Sequence, residues 1–200
     1  MSEKITIRTA RTSDAEKLLE VYAPYVEKTA VTYEYTVPST EEFAGRIEKT
    51  LKKYPYLVAL RGDEILGYAY AGEFISRAAC DWSQEMSIYL KDSTKGLGIG
   101  RALYTTLEKI AKLQNVHNLN AAIAYPEQED EYLTLNSVQF HSHMGYKIVA
   151  KFNKCGYKFG RWYSLVWMEK IITEHEQTPL PFVPFPQLDK DKLRNIGIEL

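Results

Sequence analysis

"STKGLGIGRALY", residues 93–104, places glycine at 96, 98 and 100 and then runs into an apolar-periodic segment. A glycine adopts positive φ freely and lets a ligand approach the main chain closely. Backbone N–H groups at the positive end of a helix dipole form a ready site for phosphate. Glycines also mark plain turns, so the pattern by itself leaves both readings open. Two other phosphate-binding fingerprints do not fit. The dinucleotide motif needs glycine where Arg101 stands, and the nucleotidase loop needs Gly-Lys-Ser/Thr after four residues. Downstream, "RALYTTLEKIAKLQ" puts apolar residues at 103, 107, 110, 111 and 113, one face of a helix.

Working outward, "KITIRTA" alternates like a half-buried strand, and "TSDAEKLLEVYAPYVEK" follows as a helix with Ser13 as its expected cap. "STEEFAGRIEKTLKKY" is a second helix, capped by Ser39 or Thr40. "YLVALRGDEILGYAYAGEF" is a hairpin about Gly62 and Asp63, and "SQEMSIYL" extends the sheet. "NLNAAIAY", "YKIVAKF" and "YSLVWMEKI" are strands, with "YLTLNSVQFHSHMGY" a helix ending at Gly145. The order β-α-α-β-β-β-α-β-α-β-β predicts an α/β fold with a mixed sheet of roughly six or seven strands and about four helices. Residues 1–172 form the expected domain and 173–200 a C-terminal arm, because four prolines between 179 and 186 exclude a helix or central strand there. Phe182 and Phe185 either pack that arm on its own domain or strap it across a partner subunit.

Two hundred residues with a net charge of −1 give no electrostatic footprint for nucleic acid or an anionic membrane surface. A small molecule is the expected partner. No apolar run approaches the roughly 20 residues that cross a bilayer, the first residues carry no signal pattern, and a cytoplasmic location is expected. Cys80 and Cys155 fit a reducing compartment as small, buried or partly buried residues. A zinc site from His141, His143 and Cys155 lacks any recognised ligand spacing, and no metal is expected.

"KGLGIGRALYTTLEKIA" resembles the acetyl-CoA signature of the GNAT superfamily of N-acetyltransferases, Gln/Arg-x-x-Gly-x-Gly/Ala, with Lys95, Gly98 and Gly100 at its first, fourth and sixth positions. "SQEMSIYL", "NSVQFHSHMGY" and "GYKFGRWYSLVWMEK" are similar to the phosphinothricin and methionine-sulfone acetyltransferase branch, and the resemblance runs over residues 4–170. It implies a GNAT-type, mostly antiparallel twisted sheet, acetyl-CoA as co-substrate, direct transfer to the amine of an amino acid or analogue, and a homodimer. It also implies that Lys95, Gly96, Gly98, Gly100 and Arg101 receive the pyrophosphate. The backbone of Ile88, Tyr89 and Leu90 holds the pantetheine arm as an added strand, and an N–H near Tyr89 and Leu90 serves the carbonyl oxygen.

Acetyl transfer to an amine needs a base and a proton donor for the leaving thiolate. Glu85, in an apolar strand, would have its pKa raised toward useful values. The family makes this glutamate the base, directly or through water. Elsewhere such a carboxylate faces solvent or joins a salt bridge. His141 sits at the histidine of the branch motif and suits donation to sulfur or relay of the amine's proton; a histidine on a helix is also commonly structural. His143, two residues on, turns about 200° away. In "FISRAACDW", Ile75 replaces the first of two family arginines while Arg77 keeps the second as a candidate substrate anchor, which implies weak activity on phosphinothricin. Trp162 in "KFGRW" would wall the acceptor site at the dimer interface, or simply pack. The acids of "YPEQEDEYLT" are read as solvated loop residues, or as attracting a cationic amine. A non-catalytic acyl-CoA-binding domain is the alternative function, against which the presence of both Glu85 and His141 argues.

Overall fold

The computed structural model describes residues 5–94 and 96–199. The chain runs β1 (Ile5–Thr9), α1 (Ala15–Lys28), α2 (Thr40–Leu51), β2 (Tyr56–Arg61), β3 (Glu64–Glu73), β4 (Ser83–Leu90), α3 (Ile99–Leu113), β5 (Asn118–Tyr125), α4 (Asn136–His143), β6 (Lys147–Lys158), β7 (Arg161–Ile171), α5 (Lys190–Asn195) and β8 (Ile198–Glu199). The strands form one sheet in the order β6-β7-β5-β4-β3-β2-β1-β8. It is antiparallel except for β4 against β5 and β1 against β8. The α/β class holds, with eight strands where six or seven were expected. The extra strand is a two-residue bridge from the C-terminal segment, too short to leave a periodic signal.

Side chains alternate across each strand, so the sheet has two distinct faces. On one, Leu103, Leu107 and Ile110 of α3 pack with Met86, Leu119, Ala121, Val166 and Met168. On the other, Leu18, Val21 and Tyr22 of α1 and Phe43 and Ile47 of α2 pack with Val58 and Tyr68. α2 begins as expected, with the Ser39 hydroxyl accepting from the Glu42 N–H at 3.1 Å. α1 does not: Ser13 falls inside a 3-10 turn, Thr12–Asp14, and Asp14 takes over the junction by accepting from the Arg11 N–H and pairing with Arg8 at 2.7 Å.

The proline-rich segment lies on its own domain. Phe185 is buried and Phe182 packs beside it in the α3-side core. The side chain of Gln114 donates to the carbonyls of Lys53 and Val183, and the Trp82 indole N–H donates to the Leu180 carbonyl at 2.7 Å. Cys80 is partly exposed, whereas Cys155 is exposed, contrary to expectation, because edge strand β6 turns it to solvent.

Candidate active site

β4 and β5 pair in parallel only over Ser83–Glu85 and Asn118–Asn120; beyond that point they diverge. The opening is a cleft lined by Ser87, Ile88 and Tyr89 of β4, Ala122 of β5, and Tyr104 and His141 from the helices above. Splayed strands leave main-chain groups without ladder partners. The Leu90 N–H donates to the Tyr25 hydroxyl at 3.3 Å, and that hydroxyl donates back to the Leu90 carbonyl at 2.6 Å. Leu90 therefore points away from β3. Main-chain groups alternate in direction along a strand, so Met86 and Ile88 share its side, while Tyr89 turns toward β3. Of the three residues expected to hold an extended arm, Ile88 presents free main-chain groups to the cleft.

The same alternation separates the candidate catalytic side chains. Met86, Ile88 and Leu90 face α3, whereas Tyr89 packs beneath α1 and α2, which puts Glu85 and Ser87 on that side too. Glu85 lies opposite Gly72, where no side chain crowds it, and burial raises its pKa above the ordinary carboxylate value. His141 comes from the opposite face, from α4. His141 lines the cleft, whereas Glu85, on the other face of the sheet, adjoins the lining residue Met86 without lining the cleft itself.

His141 is 3% exposed. Its Nδ1 lies 2.7 Å from the Ser137 carbonyl, which can only accept, so Nδ1 carries the proton. Nε2 then accepts from the Tyr104 hydroxyl at 2.8 Å. Burial lowers the His141 pKa to about 4, so the ring is neutral near pH 7 and has no extra proton to give. Tyr104, whose own pKa burial drives upward, brings an O–H to the lining of the cleft beside His141. Tyr104 sits on the apolar face of α3, where nothing in the sequence distinguishes it from a core residue. His143 is exposed and bonds to its own helix at Gln139.

Three glycines in alternation turn out to serve two purposes. Gly96 and Gly98 adopt φ of 79° and 76°, and a Cβ built on either would meet nothing within 4 Å. Conformation and open space explain them. Gly100 is buried, and a Cβ there would come within 3.1 Å of Phe140 and 3.3 Å of Leu90, so it lets α3 approach α4 and β4. Gly98 caps α3 without any side-chain bond, and no acid occupies the first turn. The first N–H groups of α3 are thus left for an anion. Lys95 lies outside the described residues. Beside the loop, a surface groove of about 360 Å³ is lined by Arg101, Thr105, Lys109, Lys112, His143 and Lys170, with Glu108 paired to Lys170 at 2.7 Å. This open, cationic cradle fits the phosphates of a coenzyme A thioester.

With the cradle, the splayed strands and the flanking groups in place, the comparison with known proteins is decisive. Residues 7–167 match the model of the acetyltransferase (GNAT) domain. The chain belongs to the GNAT acetyltransferases. A phosphinothricin N-acetyltransferase of Streptomyces viridochromogenes is 28% identical over 184 residues, covering 92% of this chain and 96% of the relative. An L-methionine sulfoximine/L-methionine sulfone acetyltransferase of Salmonella typhimurium is 30% identical, covering 86% and 96%. The solved phosphinothricin acetyltransferase of Sinorhizobium meliloti, in complex with acetyl-CoA, superposes with a TM-score of 0.80 at 30% identity, covering 94% of this chain and 97% of that one.

The remaining expected site residues of this GNAT enzyme, Arg77 and Trp162, are exposed and are not among the residues that line the cleft. Arg77 is exposed and donates to its neighbour's carbonyl, Ser76 O, at 2.6 Å. Trp162 is 60% exposed and packs on Tyr157 at the tip of the β6–β7 hairpin. Asn120 of β5 is level with both Glu85 and Glu169, so Trp162 is seven residues along β7 from the level of Glu85, about 23 Å at strand rise. The acids of the β5–α4 loop are engaged in holding that loop. Asp130 accepts from the N–H groups of Tyr132 and Leu133 and from the Tyr163 hydroxyl, Glu131 pairs with Arg161, and Glu127 pairs with Lys151. Among the described residues no group of three His, Cys, Asp or Glu is arranged to hold a metal, and no helix is long and apolar enough to cross a membrane.

Proposed function

We propose that the protein acetylates the primary amine of a small molecule, an amino acid or amino-acid analogue, using acetyl-CoA and direct attack within a ternary complex. The observation that carries this reading is the β4–β5 splay, with a half-buried carboxylate on one face and the Tyr104–His141 pair on the other. When bound, acetyl-CoA supplies the activated acetyl group; the N–H groups about Gly96 and Gly98 with Arg101 hold its diphosphate. The cationic groove seats the nucleotide end. Main-chain groups of Met86 and Ile88 take the pantetheine arm as an added strand, and the Ile88 N–H polarises the carbonyl.

Glu85 removes the proton from the acceptor's ammonium, directly or through a water, and its raised pKa suits it to that exchange. Tyr104 gives its hydroxyl proton to the departing thiolate, the O–H turning from His141 Nε2 to the sulfur, and the phenol is restored through solvent by the proton that left the ammonium. Neutral His141, fixed by Ser137, positions that hydroxyl. Trp162, too far along β7 to reach Glu85 within one chain, serves an acceptor site across a homodimer in which the exposed apolar residues Ile148, Val149 and Phe152 of β6 are covered. Two unpaired cysteines fit a reducing cytoplasm.

Thiol release from acetyl-CoA, measured over a panel of amino acids and amines, tests the reading. Turnover with at least one amine, falling about 10²- to 10⁴-fold in Glu85→Gln, is expected. Binding of acetyl-CoA with no turnover on any amine would establish the non-catalytic alternative.

A further inference from the structure

The loop between α1 and α2 packs on the β6–β7 hairpin, and it is firmly seated. The Lys158 ammonium donates to the carbonyls of Thr29 and Thr32, the Tyr33 hydroxyl donates to Ser164 O at 2.7 Å, and the Tyr35 hydroxyl donates to Tyr157 O. The Tyr33 ring lies directly on Gly156, where a Cβ would come within 2.5 Å of it. This seating fixes the next residue, Glu34.

Glu34 is unusual among the acids of the described residues. Its Oε1 accepts from Arg46 at 2.7 Å, but its Oε2 is buried without a hydrogen-bond partner. A buried carboxylate oxygen left unpaired is costly, and a native structure that keeps one commonly reserves it for a ligand. The surroundings show where it acts. The Glu34 N–H donates to Thr32 Oγ1 at 3.4 Å, that hydroxyl meets the Tyr22 hydroxyl at 2.9 Å, and the Tyr22 ring packs on Tyr89, which leads through Tyr68 to Tyr70. Tyr70 lies opposite Ser87, two residues along each strand from the Gly72–Glu85 pair and on the same face. Both carboxylates therefore look onto the same tyrosine-lined floor.

Cations near this floor are already engaged. Arg46 is shared between Glu34 and Glu42, and Lys158 is turned into the Thr29 and Thr32 carbonyls. Arg77, the expected anchor for a substrate carboxylate, lies in solvent. The acceptor side thus offers one carboxylate oxygen without a hydrogen-bond partner, on a carboxylate whose other oxygen is paired with Arg46.

We infer that Glu34 reads a second, cationic nitrogen on the acceptor, so that the enzyme prefers diamines or basic amino acids over acceptors with neutral or acidic side chains. The ammonium pairs with Glu34 Oε2 while the amine to be acetylated meets Glu85. This rests on the proposed acetyltransferase reading and specifies its substrate class.

Matched acceptors test it: L-lysine against L-norleucine, and 1,5-diaminopentane against pentylamine, each followed by thiol release from acetyl-CoA with the full-length chain. Wild type should favour the cationic member of each pair by about 10- to 100-fold in kcat/KM, as expected for a charge-assisted bond. Glu34→Gln should bring that ratio toward one, chiefly through KM for the cationic member, and Glu34→Asp should restore part of it. A wild-type ratio near one, or Glu34→Gln lowering both members of a pair equally, overturns the inference while leaving the acetyltransferase reading intact. Absence of turnover on every amine strikes the acetyltransferase reading itself.

Discussion

Replacing His141 with glutamine should flatten the acid limb of the protein's stability. In the fold, the imidazole is held neutral by burial, with its pKa lowered from 6.5 to about 4. The unfolded chain binds the proton at the higher value. Stability is therefore complete above pH 6.5 and is lost as the pH falls toward 4, because the unfolded state takes up a proton that the folded state refuses. At about 1.4 kcal/mol for each pKa unit, the total lost across that window is about 3 kcal/mol, of which about 2 kcal/mol has gone by pH 5. Urea unfolding of wild type and His141→Gln at pH 7.5 and pH 5 isolates this contribution, since the other titrating groups are common to both. Wild type should lose about 2 kcal/mol more than the variant over that interval. Parallel losses in the two proteins would refute the reasoning. An ordinary histidine pKa would also return the role of proton donor to His141 and remove the case for Tyr104.

Tyr104→Phe deletes the hydroxyl that meets His141 Nε2. It should lower kcat by about 10²- to 10⁴-fold and unfolding free energy by about 1–3 kcal/mol, because a buried acceptor is left unpaired; full turnover in this variant contradicts the assignment. The kcat/KM profile of wild type should fall on the acid side with a midpoint above the usual carboxylate range, since Glu85 must be ionised to accept a proton, and Glu85→Gln should lack that limb. Gly156→Ala drives a methyl group into the Tyr33 ring and should cost about 1–3 kcal/mol in urea unfolding; an unchanged midpoint would show that the α1–α2 loop is not seated as described.

Local signals carried the fold. Ser39 as the cap of α2, Gly62 at the β2–β3 turn and the apolar face of α3 were all legible because each is decided by neighbours in sequence. The glycine run was legible as a site but not as a division of labour: Gly96 and Gly98 serve conformation, whereas Gly100 answers to Phe140, 40 residues away. Ser13 failed as a cap because Arg8 and Arg11 both recruit Asp14. β8 and α5 were hidden by brevity and by the prolines before them. The proposed roles of Glu85 and His141 come from motif position, whereas their placement on opposite faces depends on side-chain alternation along β4 and on the packing of α4. Tyr104 and Glu34 were missed because one looked like core and the other like a loop acid. Their significance comes from partners 37 and 12 residues distant, His141 and Arg46.

Calorimetric titration of acetyl-CoA into the wild-type chain and into Gly98→Asp tests the central claim most directly. The open cradle at the start of α3 should give one site per chain in wild type. A carboxylate placed there should weaken binding by at least about tenfold, through charge repulsion and a side chain forced to positive φ. No detectable binding to wild type, or equal affinity in the two proteins, would contradict the account.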